Sequence, residues 1–129
     1  MRPDQAVGNL LYSCSAVTAI TMLITHGIRA SGTAVPAINF YQMGGNSRFN
    51  GVEAPIFSIN CRATDASVAR GMGDSVVDLF GGTSGTGIYG TSSTFSIARG
   101  SVVRDNGLIP EPDSNIYNAS IDVRLVFAR

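Results

Sequence analysis

Lysine is absent from this 129-residue chain, and all nine basic residues are arginines. Histidine occurs once, as His26, and cysteine twice, as Cys14 and Cys61. Each shortage removes a class of chemistry. Without lysine there is no Walker-type phosphate loop, because that loop needs a lysine to reach the outer phosphates. With one imidazole, any catalytic triad, His–metal pair or histidine acid–base scheme has to run on His26 alone. Its place beside Gly27, at the expected end of a helix, suits contact with terminal carbonyls instead. Two distant cysteines make neither a disulfide framework nor a metal cluster, and both are expected as buried thiols. Formal net charge is zero, so the basic excess that accompanies nucleic-acid binding is missing. The longest apolar stretch, 17–28, falls short of the roughly 20 residues a membrane span needs and is broken by Thr18, Thr21, Thr25 and His26. The expectation is a protein made in the cytoplasm that does not engage membranes. Arginine in place of lysine suits charge pairs across subunit interfaces, although a GC-rich genome produces the same bias.

Motifs that could carry chemistry are thin. Gly85-Thr86-Gly87-Ile88-Tyr89-Gly90 has the GxGxxG spelling of a dinucleotide fingerprint, but that motif works between an entering strand and a leaving helix. Here a helix enters and a Ser/Thr run leaves. Asp74 and Asp78 share one helix face at i,i+4, which a solvated face explains without an acid–base dyad. No catalytic, cofactor-binding or metal-ligating residue is expected, and no cofactor.

What is present is a pattern for one α+β domain spanning 1–129, with 44% hydrophobic residues. Ala6, Val7, Leu10 and Leu11 recur at helical spacing after Pro3 and predict a helix over 4–13. Ser15 is placed to cap a second short helix from Ala16 to about Ile24. Strands are predicted at 37–43, 56–62, 95–104 and 117–128. Between the second and third of them, Thr64-Asp65 announces the main amphipathic helix, with Val68, Met72, Val76, Leu79 and Phe80 on its apolar face and Gly81-Gly82 as its stop. Gly71 and Gly73 inside that helix each cost about 1 kcal/mol relative to alanine, so packing or a close backbone approach must compensate. Residues 44–54, 81–94 and 104–117 read as loops, the middle one as a flexible Gly/Ser/Thr segment. The expected architecture is a mainly antiparallel sheet of about four strands with helices on one face and long hairpin loops.

The last predicted strand is the most regular. Tyr117, Ala119, Ile121, Val123, Leu125 and Phe127 alternate with Asn118, Ser120, Asp122, Arg124, Val126 and Ala128, so one face is apolar and the other mostly polar. A polar sheet face that helices leave uncovered meets water, a lumen or a partner. Candidate contact residues are therefore Arg48, Asn50 and Glu53 in one loop, Arg99, Arg104, Asp105 and Glu111 around the last hairpin, and Asp122 and Arg124 on the polar face. Loop charges of this kind are commonly just solvated; the alternative is subunit contact.

Taken in order, these features resemble the tail completion or tail terminator proteins of long-tailed bacteriophages, also grouped with minor capsid and neck proteins. The resemblance covers most of the chain and is carried by Leu10-Leu11-Tyr12 in the opening helix and by the strand and turn Val35-Pro36-Ala37-Ile38-Asn39-Phe40-Tyr41-Gln42-Met43-Gly44-Gly45. The strand and helix from Ile56 to Phe80 and the closing alternating strand complete it. It implies a non-enzymatic virion protein, assembled in the host cytoplasm, that forms a homohexameric ring at the head-proximal end of the tail tube. The implied partners are the major tail tube protein and the head connector or neck proteins, with DNA passing through the lumen without specific binding. A different neck component, such as a head-completion or connector-adaptor protein, would share the location. A small nucleotide-binding domain using the Gly-rich loop is the reading from another class.

Overall fold

The computed structural model describes residues 3–27, 35–44, 48–49, 52–81, 88–92, 95–111 and 115–128. Helix α1 (Pro3–Ser13) starts at a proline whose missing N–H costs nothing in a first turn, and it buries Val7 and Leu11 one turn apart. Helix α2 (Ser15–Thr18) has four residues and is capped by the Cys14 position, not by Ser15. The expected continuation to Ile24 does not form. Instead, the Thr21 hydroxyl donates to the Pro36 carbonyl at 2.8 Å and accepts from the Leu23 N–H at 3.0 Å, which pulls the backbone out of the helix. Strand β1 (Ile24–His26) follows, so His26 ends a strand and lies exposed, its ring centroid 5.3 Å from that of Phe40.

Strand β2 (Ala37–Gly44) pairs parallel with β1 and antiparallel with β5 (Ile56–Ala63). Two short strands, β3 (Arg48–Phe49) and β4 (Val52–Glu53), lie within the segment expected as a loop over 44–54 and pair with each other. Ala128 of β8 (Tyr117–Ala128) faces Val52 on one side and Ser96 on the other, so β4 lies in line with β5 along the same edge of β8. Helix α3 (Ala66–Gly81) begins as the pattern predicts: the Asp65 carboxylate accepts the Ser67 N–H at 2.8 Å and the Ser67 hydroxyl at 2.7 Å.

Two further expectations are corrected after α3. Strand β6 (Ile88–Ser92) occupies part of the segment read as a flexible loop, where the paired backbone of β7 (Phe95–Pro110) supplies hydrogen bonds that composition does not reveal. Strand β7 itself runs past Arg104 to Pro110, which shortens the predicted 104–117 loop to Glu111–Ile116, closed by the Glu111 N–H on the Ile116 carbonyl at 2.9 Å. The bulges between Val102 and Arg104 and between Asp105 and Leu108 absorb the polar residues that made this stretch look irregular. Gly107 sits in the second bulge at φ 74°, a conformation that favours glycine, with its N–H held by the Asp105 carboxylate at 2.9 Å.

The fold is α+β: a mostly antiparallel sheet whose central strands are β2, β5, β8 and β7, with helices on one face. The core lies between them. Ile38, Phe40, Phe57, Ile59, Ala119, Ile121, Val123 and Leu125 from the sheet meet Val7 and Leu11 of α1 and Ala69, Met72, Val76 and Phe80 of α3, all buried. Each large side chain here contributes about 1.5–3 kcal/mol by leaving water. A Cβ on Gly73 would lie 3.0 Å from that of Ala119, so the glycine lets α3 approach the sheet; nothing crowds Gly71.

Candidate functional site

Because side chains alternate along a strand, the register fixes what shares the face away from the helices. Asn39 faces Asn60 across β2–β5, Tyr41 faces Ser58, and across β5–β8 the pairs are Ser58 with Asp122, Asn60 with Ser120 and Arg62 with Asn118. Three strands thus bring a patch of amides and hydroxyls together. The Asn118 amide donates to the Asn60 Oδ1 at 3.2 Å, the Asn60 amide donates to the Ser58 Oγ at 3.4 Å, and the Asn106 amide donates to the Ser120 Oγ at 3.4 Å. Asn39 donates instead to the Gly27 carbonyl at 3.1 Å.

This face is polar, as the alternation in β8 predicts, but its centre is not wet. Asn39, Ser58 and Asn60 are buried, whereas Arg124 and Arg104 at its margin are exposed and Asp122 is half-buried. In the registers the longer side chains of Tyr41 and Arg62 stand beside the short ones of Ser58 and Asn118. Two acceptor atoms in the patch, Asn39 Oδ1 and Asn118 Oδ1, are buried without a hydrogen-bond partner, which costs free energy in a surface that makes no contact.

The candidate residues do not form one cluster. Arg104 and Asp122 face each other in the β7–β8 register, and Arg124 lies between Ile56 of β5 and Ser101 of β7. Asp105 is spent on the Gly107 turn. Glu111 reaches across β8 to Arg62 of β5, with Nε to Oε1 at 2.9 Å. Arg48 and Glu53 face each other in the β3–β4 register and Arg99 faces Val126, while Asn50 falls outside the described residues. Asn39, Ser58, Asn60 and Arg62 were missing from the expectation. Their signal is the alternation of Ser58, Asn60 and Arg62 with Phe57, Ile59 and Cys61, the same pattern that singles out β8.

Among the described residues no group of three or more His, Cys, Asp or Glu could hold a metal ion, and no helix is long and apolar enough to cross a membrane. The GxGxxG spelling leads into β6, a strand where the fingerprint needs a helix. Cys61 is buried as expected, and Cys14 is half-buried where a buried thiol was expected. Asp74 lies on the exposed face of α3, 3.6 Å from Arg70. The arrangement offers hydrogen-bonding surface and marginal charge, and no poised nucleophile or acid–base pair among the described residues.

No family model and no curated protein matches the sequence. Among solved structures the chain is similar to one in the virion of a native gene transfer agent (GTA) particle, with 12% identity and a TM-score of 0.66 over 98% of this chain and 95% of that one; at this identity the likeness is one of fold.

Proposed function

We infer that this chain is a non-enzymatic structural protein of a phage-type virion, and that it forms a ring at the head-proximal end of the tail tube. There it ends tube polymerisation and joins tail to head. The observation that carries the first part is the end-to-end likeness to a chain of a GTA virion, covering nearly the whole of both chains. The ring and its position rest on the resemblance to tail terminators in element order and length. The sheet's uncovered polar face, where Asp122 and Arg62 stand in register with Ser58 and Asn118, supplies a surface for a lumen or a neighbouring subunit. The partners in this reading are further copies of the chain, the tail tube protein and the connector.

The test is electron microscopy of the protein purified alone and co-expressed with the tube protein of the same particle. A terminator gives closed rings seated on one end of short tubes. Tubes of unrestricted length with no density at their ends would overturn the assignment, and a ring bound to connector but never to tube would favour a head-completion protein. Charge reversal of Asp122 or Arg124 should weaken ring formation; unchanged assembly in both would leave that face merely wet.

A further inference from the structure

The sequence holds two Asn-Gly pairs, Asn50-Gly51 and Asn106-Gly107, and the second lies inside the second bulge of β7. In an Asn-Gly pair the asparagine side chain turns readily onto its own backbone, because a following residue without a Cβ leaves the next amide nitrogen open to it. The register locates the pair. Asp105 faces Ile121 and Leu108 faces Ala119, so Asn106 and Gly107 together stand opposite Ser120. Gly107 has φ 74°, and nothing lies within 4 Å of the place a Cβ would take.

Two hydrogen bonds occupy the groups that would react. The Asn106 amide donates to the Ser120 Oγ at 3.4 Å, which commits the side chain to the neighbouring strand, whereas ring closure needs it turned back over the Gly107 nitrogen. The Gly107 N–H donates to the Asp105 carboxylate at 2.9 Å. The proton that has to leave is therefore already bound, and negative charge developing on that nitrogen would face a carboxylate. Neither bond lies in the core: the first is partly buried and the second is exposed. A bulge interrupts the ladder, so this segment opens at a smaller free-energy cost than the sheet around it.

We propose that Asn106 is a site of spontaneous deamidation, held in check by these two hydrogen bonds and released when the bulge opens. In the open form the Gly107 nitrogen gives up its proton to solvent and attacks the Asn106 Cγ. The N–Cγ bond forms, the Cγ–Nδ2 bond breaks, and Nδ2 leaves as ammonia with a proton taken from solvent, which leaves a succinimide. Addition of one water opens the ring at either carbonyl and gives aspartate or isoaspartate; nothing is oxidised or reduced. Either product puts a carboxylate where an amide donated to Ser120, on the polar face that Ser120 shares with Asp122. Isoaspartate also lengthens the backbone by one methylene, just ahead of the pairs that Leu108, Ile109 and Pro110 make with Ala119, Asn118 and Tyr117. The site belongs to the chain itself and holds whether or not the chain forms a ring.

The test is mass spectrometry of the full chain aged in mildly alkaline buffer, native and in urea. Cleavage after arginine releases 105–124 separately from 49–62, so conversion at Asn106 is read apart from conversion at Asn50, and fragmentation of the first peptide localises it. Asn106 should convert in urea, and at least ~10-fold more slowly in the native protein. No conversion in urea, or equal rates in the two states, would overturn the proposal. Asp105→Ala and Ser120→Ala, each with unchanged circular dichroism, should bring the native rate closer to that of the same variant in urea. A native rate no faster than that of wild type in either folded variant would overturn it as well, since the hydrogen bond removed would then restrain nothing. Wild type alone supplies a second arm that needs no variant to fold. In urea too dilute to unfold the protein, conversion of Asn106 should rise in step with hydrogen exchange of the Gly107 amide, and faster exchange with unchanged conversion would refute the link to bulge opening.

Discussion

Arg62 and Glu111 form an ion pair that spans a whole strand: the Nε of Arg62 on β5 lies 2.9 Å from the Oε1 of Glu111 beyond β7, with β8 between them. Both side chains are about a quarter exposed, and the two contacting atoms are themselves shielded from water. The contact is close without being aligned as a hydrogen bond, so its strength is coulombic. It ties the turn end of the β7–β8 hairpin to the middle of the sheet. Arg62→Met or Glu111→Gln should each destabilise the fold by about 1 kcal/mol, and a double-mutant cycle should return a coupling of similar size. Hydrogen exchange should quicken at 111–116 in both variants. A coupling near zero would show that the pair is spatial neighbourhood only.

The two glycines of α3 should respond oppositely to alanine. A Cβ at Gly71 meets nothing within 4 Å, so Gly71→Ala keeps the helix-propensity gain of about 0.5–1 kcal/mol. At Gly73 the same methyl lands 3.0 Å from the Ala119 Cβ on a central strand, and the sheet cannot retreat as a flexible side chain would. Gly73→Ala should therefore lose that gain and melt below Gly71→Ala. Equal melting temperatures would mean that α3 can ride outward at no cost.

The elements legible in the sequence were those whose burial follows one period. Strand β8 and helix α3 announce themselves because Ala119, Ile121, Val123 and Leu125, or Met72, Val76 and Phe80, all meet the same core. Strand β1 was hidden because Ile20, Leu23 and Ile24 also fit a helix, and the Thr21–Pro36 hydrogen bond that decides the matter joins residues 15 apart. Strand β6 was hidden because its order comes from β7 and not from its own composition. The same holds for the candidate face. Asp122 and Arg124 could be read from one alternating strand, whereas joining Asn39 and Asn60 to them needs the registers of β2, β5 and β8, which no single segment encodes.

Asp65 gives α3 an acid-sensitive start. Its carboxyl is held below its ordinary 3.8, chiefly by the Ser67 hydroxyl and then by the Ser67 N–H. A carboxyl whose pKa falls on folding adds stability above its unfolded value, and this is lost as pH drops through the lower folded value. The melting difference between wild type and Asp65→Asn should therefore be constant at neutral pH and shrink below 3.8. In an NMR titration, Ser67→Ala should return the Asp65 carboxyl toward 3.8; an unmoved carboxyl would assign the shift to the backbone.

Cys61 should be chemically silent in the folded protein. It lies on the helix-facing side of β5 between Ile38 and Ala119, fully buried, and that burial pushes its thiol up to about 12. At pH 8 only on the order of one molecule in 10,000 carries the thiolate that attacks a disulfide reagent, and the reagent cannot reach it. Cys14, half-buried at the start of α2, is the accessible thiol of the two. Reaction with an aromatic disulfide at pH 8 should release at most one equivalent from native protein and two after denaturation, and Cys14→Ser should remove the native reaction. The rate at Cys61 then reports opening of the sheet under α3, and slowing on ring assembly would mean that assembly stabilises the sheet itself. A Cys61 that reacts as fast as Cys14 in the native protein would contradict the packing of α3 on β5.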